Sequence, residues 1–168
     1  RSYAKVLHCI THFFVQNEES KKLLSSIGID CVTVSGDTRF DRVLGVKKAS
    51  KALPIVESFV GDKRAFVAGS SWLPDEEIFI KYFNEHKDWK LVIAPHVIDE
   101  SHLTQILALL NRKTVRYTQT TPEEAAEADC LIIDCYGLLS GIYRYGDVSY
   151  VGGGLGVGIH NVLEAAVW

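Results

Sequence analysis

Cys130-Leu-Ile-Ile-Asp134 begins with four apolar residues in a row, and segments with helical features lie on both sides of it. Runs of similar length, mostly apolar or β-branched, occur at 65–68, 91–94, 115–117 and 148–152. Short strands that are apolar along their length are usually covered on both faces, as the strands of parallel sheets are. The regular alternation of such strands with helices from Arg64 onward predicts an α/β domain with a doubly wound parallel sheet.

The helices between these strands have recognisable start signals and apolar stripes. Thr121 and Glu124 have the spacing of a capping box, with Pro122 at the first helical position. Two further helices each have an apolar stripe, formed by Ile78, Phe79, Tyr82 and Phe83 in one and by Leu103, Ile106, Leu107 and Leu110 in the other. Nearer the amino terminus, Asn17 is predicted to cap a helix that ends at Gly28, between strands at 13–16 and 31–35.

The segment between residues 36 and 63 separates two parts of the chain. Gly36-Asp37 is a turn pair, and the residues that follow include Gly45, a lysine-rich stretch and Pro54. We therefore assign residues 1–36 to the end of a preceding domain, 37–63 to a linker and first helix, and 64–168 to the α/β domain. We expect the chain to be an excised part of a longer protein, truncated before at least one more strand of the sheet.

Composition and charge exclude several classes of partner. The chain has 168 residues, 47% of them hydrophobic, which is enough for one ordinary core. Its net charge of −3 provides no general attraction to nucleic acid or to anionic lipid. No apolar stretch approaches the roughly 20 residues that a membrane span needs, so we expect this part of the protein to be soluble. The four cysteines form no CxxC pair, which disfavours a metal or disulfide framework.

The densest chemical signal is the segment Val151-Gly-Gly-Gly-Leu-Gly-Val-Gly-Ile-His-Asn-Val-Leu-Glu164. Its glycines follow a predicted strand and lead into a predicted helix, so bare backbone N–H groups can approach a ligand there. This arrangement is typical of a phosphate-binding loop. The glycine spacing does not match the dinucleotide fingerprint, and no Gly-Lys-Ser/Thr of a Walker A loop occurs in the chain.

Polar residues adjoin this glycine loop. The spacing predicts that His160 and Glu164, and Asn161 and Glu164, lie on one side of the opening helix. A carboxylate one turn into that helix is well placed to accept hydrogen bonds from ribose hydroxyls. The alternative is a capped helix with a solvated glutamate, but ligands of open α/β sheets bind at the carboxyl ends of strands, which favours the functional interpretation.

Two other features have mainly structural interpretations. Asp75, Glu76 and Glu77 lie in a predicted first helical turn, where acidic side chains interact favourably with the helix dipole, so we interpret them as capping residues rather than catalytic ones. Trp72 follows Gly-Ser-Ser at the end of a predicted strand. It packs either under the glycine loop or in the core, and the sequence leaves both possibilities open.

Several segments together resemble the transferases of 3-deoxy-D-manno-octulosonic acid (Kdo), members of the GT-B superfamily with two facing Rossmann-like domains. The segment at 152–167, GGGLGVGIHNVLEAAV, is similar to the donor-site signature of that family. Other segments follow the order and spacing of the family and extend the resemblance over nearly the whole chain. They are FVQNEES at 14–20, GDTRFDRV at 36–43, GSSW at 69–72, APH at 94–96, DCYGLL at 134–139 and YRYGD at 143–147.

The resemblance implies a binding site for the donor CMP-Kdo on the Rossmann-like domain at 64–168, the carboxyl-terminal domain of the GT-B fold. Gly69 and Ser70 would line the cleft near the donor phosphate, and Pro95 and His96 would lie at the cytidine. The other implied donor-binding residues are Gly137 and Leu138 through their amides, Gly153, Gly154 and Gly156 in the loop, His160 and Asn161 near the phosphate, and Glu164 on the ribose.

The resemblance also implies the reaction: inverting transfer of Kdo from CMP-Kdo to a lipid A precursor, at the cytoplasmic face of the inner membrane. The general base of the family is a glutamate of the amino-terminal domain, so no catalytic residue is expected in this chain. We expect the chain to bind CMP or CMP-Kdo without turnover and without a metal or other cofactor, and to contact membrane only through other parts of the protein. Two alternatives remain open: a GT-B transferase of a UDP-sugar, and a non-catalytic nucleotide-binding module.

Overall fold

The computed structural model describes residues 2–156 and 158–168. The chain divides into two compact units, Arg1–Gly45 and Val46–Trp168. The division falls inside the segment 37–63 that the sequence predicts to be a linker. The assignment of the two units to domains of a longer protein stays a prediction.

The first unit contains two short parallel strands and the helices around them. In order, the elements are α1 (Ser2–Leu7), β1 (Phe13–Val15), α2 (Glu18–Ser25), β2 (Val32–Val34) and the start of α3 (Thr38–Ala49), and β1 pairs with β2. The Asn17 side chain accepts a hydrogen bond from the backbone N–H of Ser20 at 2.8 Å, which confirms the predicted cap. Helix α2 ends at Ser25, and the left-handed Gly28, with φ of 80°, lies in the turn beyond it.

The second unit contains a five-stranded parallel sheet. Its strands are β3 (Arg64–Ser71), β4 (Trp89–Pro95), β5 (Thr114–Arg116), β6 (Cys130–Ile132) and β7 (Val148–Val151), in the spatial order β5-β6-β4-β3-β7. Each coincides with a predicted strand. In the described part of this unit, the helices that follow α3 are α4 (Pro54–Val60), α5 (Leu73–Glu85), α6 (Glu100–Leu109), α7 (Pro122–Ala126), α8 (Leu139–Ile142) and α9 (Leu163–Ala166). None of the helices within the described ranges is long and apolar enough to cross a bilayer.

The core lies on both faces of this sheet, because alternate residues of each buried strand point to opposite sides. On one face, Val67, Val92 and Leu131 pack with residues of α4, α7 and α8. On the other, Ala68, Leu91, Ile93 and Ile132 pack with residues of α5 and α6. Helices therefore cover both faces, and the predicted doubly wound α/β architecture is confirmed.

The apolar stripes of α5 and α6 were predicted only in part. Phe79 and Phe83 are buried as expected, but Ile78 is 64% exposed, and the residue that completes the buried face is Ile80. The buried side of α5 also contains Glu76, because hydrogen bonds satisfy its carboxylate there. In α6, Leu103 and Ile106 are buried, whereas Leu107 is exposed and Leu110 lies beyond the last helical turn.

The capping box predicted at the start of α7 is confirmed. Thr121 and Glu124 each donate a backbone N–H to the other's side chain, and Pro122 lies in the first helical turn, as predicted.

The four cysteines are free. Cys130 is buried in the sheet, and burial raises the pKa of its thiol to about 11, whereas Cys9 and Cys31 are exposed.

The sheet has a switch point between β3 and β7. From β3 the chain continues into α5 on one face and then into the neighbouring strand β4. After β7 the chain turns to the opposite face, where Ala165 and Trp168 pack against the core. The two connections diverge from adjacent strand ends, which leaves a crevice at the carboxyl edge of the sheet, where ligands of open α/β sheets bind.

Candidate functional site

Backbone hydrogen bonds bring the predicted site segments together at this carboxyl edge. The N–H of Gly152, after β7, donates to the carbonyl of Gly69 in β3 at 2.9 Å. The N–H of His96, after β4, donates to the carbonyl of Ser71 at 2.9 Å. The N–H of His160 donates to the carbonyl of Gly152 at 3.3 Å, which returns the end of the glycine segment to the end of its own strand.

Three aromatic rings meet at the crevice. The Trp72 ring stacks on His96 with centroids 4.7 Å apart, and His96 stacks on His160 with centroids 4.4 Å apart. The indole Nε1 of Trp72 also donates a hydrogen bond to Nε2 of His160 at 3.2 Å. Burial, and then the neighbouring His160, lower the pKa of His96, so this ring is neutral at neutral pH. The cluster joins the ends of β3 and β4 to the segment after β7.

Asp75 holds the start of the glycine loop. Its side chain is almost fully buried, and Oδ2 accepts hydrogen bonds from the backbone N–H groups of Trp72 at 3.0 Å and Gly153 at 3.1 Å. Oδ1 accepts a hydrogen bond from the hydroxyl of Tyr150 at 2.7 Å. The capping role predicted for Asp75 is confirmed by the bond to Trp72. No local pattern indicated that the same carboxylate also bonds to the glycine loop and to β7.

A second buried carboxylate lies one residue further on. Glu76 is fully buried, and it accepts hydrogen bonds from the Ser71 hydroxyl at 2.8 Å and faces Nε2 of His102 at 2.7 Å. Nδ1 of His102 faces the carbonyl of Val97 at 3.0 Å. This network connects the end of β3 to the amino-terminal part of α6 and fixes the backbone on which Ser70 and His96 are mounted.

A cavity of about 200 Å³ opens between the ends of β3, β4 and β6. Four of the predicted donor-binding residues line it: Ser70, Pro95, His96 and Gly137. The exposed Tyr136 stands at the same cavity, and sequence reasoning did not single it out. The walls of the cavity combine apolar side chains with a few polar groups, which is the usual composition of a small-molecule site.

The glycine loop closes on itself at its base and is open beyond it. At Gly152 and Gly153 a Cβ would collide with the backbone of Ser70 and of Gly158, respectively, and Gly153 has a φ of 94°. The N–H of Gly158 donates to the carbonyl of Gly153 at 2.9 Å. Gly154 and Gly156 are exposed, and no atom of the described residues lies within 4 Å of a Cβ position on either of them. The base of the loop requires glycine for packing, whereas its tip presents bare backbone.

The predicted helix after the loop begins later than the spacing indicated. The first helical residue is Leu163, so His160 and Asn161 precede the helix; the expectation that His160 lies beside Glu164 was wrong, whereas the Asn161 side chain does reach Glu164. The glycine loop turns back to Gly152 before helical hydrogen bonding starts, and this separates the residues. His160 reaches the aromatic cluster, whereas Glu164 accepts hydrogen bonds from Ser140 at 2.8 Å and from the Asn161 side chain at 3.3 Å.

The other predicted positions divide between packing and open sites. Gly69 is buried, and the room that a side chain would need is filled by Tyr143 and Leu139, so this glycine is required for packing. Gly137, with φ of 91°, and Leu138 line a separate groove of about 560 Å³ on their α8 side. Ser70 has the left-handed φ of 51°. Ligand contacts by these residues stay predictions.

An ion-pair network fixes the end of β6 where the chain enters the cavity wall. Asp134 has a fully buried side chain and accepts hydrogen bonds from Arg116 at 2.9 Å and from the Thr118 hydroxyl at 2.6 Å. Arg116 also pairs with Glu100 at 2.7 Å. Burial alone would raise the pKa of Asp134, but the bonds from Thr118 and Arg116 outweigh it and the pKa is lowered. Among the described residues, no group of three or more histidines, cysteines or carboxylates could hold a metal ion.

Comparisons with known proteins find relatives of nearly the whole chain. No protein-family model matches the chain. A bifunctional glycosyltransferase/methyltransferase of Fusobacterium nucleatum is 29% identical over 95% of the chain, and a 3-deoxy-D-manno-octulosonic acid transferase of Aquifex aeolicus is 25% identical over 92% of it. A transferase of the same name from Rickettsia prowazekii is 21% identical over 99% of the chain. The chain spans 26% of the first of these relatives, 40% of the second and 37% of the third.

A solved structure shares the fold. The C-terminal CMP-Kdo binding domain of WaaA from Acinetobacter baumannii superposes with a TM-score of 0.56 at 20% identity, over 76% of this chain and 65% of that one. The sequence relatives extend the agreement beyond the fold, since they align with nearly all of the chain. Over nearly its whole length the chain is therefore homologous to part of the 3-deoxy-D-manno-octulosonic acid transferases, as its motifs had indicated.

Proposed function

We propose that this chain is the donor-binding part of a Kdo transferase and that it binds the cytidine nucleotide of CMP-Kdo at the carboxyl edge of its sheet. The observation that carries the proposal is the cavity at the ends of β3, β4 and β6, whose wall residue His96 stacks on His160 at the end of the glycine segment. Homology to the Kdo transferases selects this nucleotide among those that such a crevice accepts.

The two halves of the site suit the two halves of a nucleotide. The cavity of about 200 Å³ between Pro95, His96 and Gly137 has room for a pyrimidine ring, and exposed backbone around it can provide hydrogen bonds. The open tip of the glycine loop, at Gly154 and Gly156, can approach a phosphate closely because no side chain intervenes. Glu164 accepts one hydrogen bond on each carboxylate oxygen, from Ser140 and from Asn161, so each oxygen keeps a lone pair that can accept from a ribose hydroxyl.

In the transfer, the acceptor hydroxyl oxygen forms a bond to the anomeric carbon of Kdo while the bond from that carbon to the phosphate oxygen breaks. CMP leaves with the electron pair, and a general base takes the hydroxyl proton, so the configuration at the anomeric carbon inverts. The contribution of this chain is to bind CMP and to stabilise the charge that develops on its phosphate. We assign the general base, a glutamate, and the lipid A precursor site to the amino-terminal domain of the complete protein, at the cytoplasmic face of the inner membrane.

Calorimetric titration of the 168-residue chain with CMP and with UDP tests the proposal. We expect CMP to bind and UDP to bind more weakly. His96→Ala should weaken CMP binding because it removes a wall of the cavity, whereas His86→Ala is the matched control, since His86 lies after α5 and stacks on Tyr82. Tighter binding of UDP would support a transferase of a UDP-sugar, and the absence of binding of either nucleotide would refute a donor site here.

A transfer assay tests whether this chain binds the donor without providing the general base. The chain alone should transfer no Kdo from CMP-Kdo to a lipid A precursor, because the general base lies elsewhere in the complete protein. Kdo transfer by the purified chain would contradict that assignment.

A further inference from the structure

The hydrogen bond between Trp72 and His160 restricts where the imidazole can carry its proton. An indole N–H can only donate, so Nε2 of His160, 3.2 Å away, accepts. A neutral imidazole has one N–H and one acceptor nitrogen. In the neutral ring the proton must therefore be on Nδ1, although unconstrained histidine in water favours the Nε2–H form.

The surroundings of His160 hold this geometry. On the Nε2 side, the ring lies so close to Gly153 that a Cβ there would be 2.9 Å from Cδ2 of His160. One face of the ring stacks on His96. Trp72 is itself fixed, because its backbone N–H donates to Asp75 at 3.0 Å and its ring stacks on His96. The donor and the acceptor are thus both preorganised.

The opposite side of the His160 ring is available. Nδ1 makes no hydrogen bond to any residue in the described parts of the chain, and the side chain is half-buried beside the open glycine loop. An N–H at this position meets the needs of a ligand group that only accepts hydrogen bonds, and a phosphate oxygen is such a group. With the proton on Nε2 instead, the ring would present a lone pair to that oxygen.

We propose that Trp72 is a positioning residue that locks His160 in the Nδ1–H tautomer, so that His160 donates a hydrogen bond to an acceptor-only group of the bound nucleotide, its phosphate. The identity of that ligand rests on the proposed function. The tautomer does not, because it follows from the Trp72–His160 bond in the chain without ligand.

The tautomer is tested directly by nitrogen-15 NMR of the imidazole rings in the ligand-free chain, at a pH where His160 is neutral. The spectrum of a His160→Gln variant assigns the His160 signals by their loss. We expect Nδ1 to carry the proton in the wild-type chain. A wild-type spectrum with the proton on Nε2 overturns the inference without any need for a Trp72 variant.

Trp72→Phe then isolates the role of the indole N–H, since phenylalanine keeps an aromatic ring beside His96 but cannot donate. We expect His160 to shift towards the Nε2–H form. The matched control is Trp89→Phe. Trp89 begins β4, so it lies at the amino ends of the strands, away from the site, and it stacks with Arg64 there. The His160 tautomer should be unchanged in this control. An unchanged tautomer in Trp72→Phe would refute the positioning role.

Calorimetry with CMP tests the second half of the proposal. Trp72→Phe should weaken CMP binding several-fold, because binding must then return His160 to the Nδ1–H form, and Trp89→Phe should leave the affinity unchanged. Equal affinity of the wild-type chain and Trp72→Phe would refute donation by His160. If neither the wild-type chain nor the variants bound CMP, the proposed function and the donation to CMP would both be refuted. The tautomer assignment would still stand if the NMR spectrum showed the proton on Nδ1.

Discussion

The base of the glycine loop should not tolerate a methyl group at residue 153. Gly153 has a φ of 94°, which costs about 1–2 kcal/mol for a residue with a Cβ. A methyl group there would also collide with the carbonyl of Gly158 and approach Cδ2 of His160 to 2.9 Å, and overpacking of this kind costs about 1–3 kcal/mol. If the loop kept its conformation, Gly153→Ala would lose about 2–5 kcal/mol of stability.

The loop can also relieve the collision by opening, and this sets an upper limit to the loss. Opening breaks three hydrogen bonds of the loop base: Gly153 to Asp75, Gly158 to Gly153, and His160 to Gly152. At about 1 kcal/mol each, these limit the cost to about 3 kcal/mol. We therefore expect the free energy of unfolding to fall by about 2–3 kcal/mol, together with a loss of CMP binding where the loop opens to relieve the collision.

Urea denaturation of the second unit measures this loss, and Gly154→Ala is the matched control. A Cβ on Gly154 would have no atom of the described residues within 4 Å, and the backbone there is not left-handed. The control should change stability by less than about 0.5 kcal/mol, as surface substitutions usually do. If Gly153→Ala were as stable as Gly154→Ala and bound CMP with wild-type affinity, the packing described for the loop base would be wrong.

Three further predictions concern the groups that support the site. Asp75→Asn should lower the pKa of Tyr150, now about 12 through burial and its bond to Asp75, as measured by ultraviolet titration with Tyr150→Phe as the reference; an unchanged pKa would contradict the bond. Arg116→Gln should destabilise the chain by about 2 kcal/mol at pH 7, and acid unfolding should begin at higher pH because the pKa of Asp134 rises; identical acid-unfolding curves would refute this. The lowered pKa of His96 means that the unfolded chain binds more protons just below pH 6.5, so stability should fall as the pH drops through that value, and His96→Gln should flatten the slope.

Local signals explain why the strands and caps could be predicted. Every residue of a run such as Leu91–Ile93 is apolar because both faces of its strand are covered. This pattern can be recognised in the run itself. Asn17 and Thr121 act on backbone groups three residues away, so their effect is contained in the sequence around them. Ser70 and His96 were assigned to one site through the resemblance to the Kdo transferases, and they line one cavity because parallel strands end at the same edge.

The errors arose where tertiary contacts override local pattern. The buried face of α5 was misassigned because the pattern places a glutamate outside, yet Glu76 is buried with Ser71 and His102 as hydrogen-bond partners. The contact between Trp72 and His160 joins residues 88 positions apart, and no spacing rule indicates which rings meet. The late start of α9 depends on the path of the glycine loop, which local propensity does not determine.

The left-handed backbone at Ser70 limits which amino acids can replace this residue in the wall of the cavity. Glycine and asparagine adopt this conformation at little cost, whereas β-branched residues are heavily penalised. A restricted choice of amino acids among relatives at this position would therefore report the shape of the main chain, and it would persist in a descendant that had exchanged one nucleotide for another.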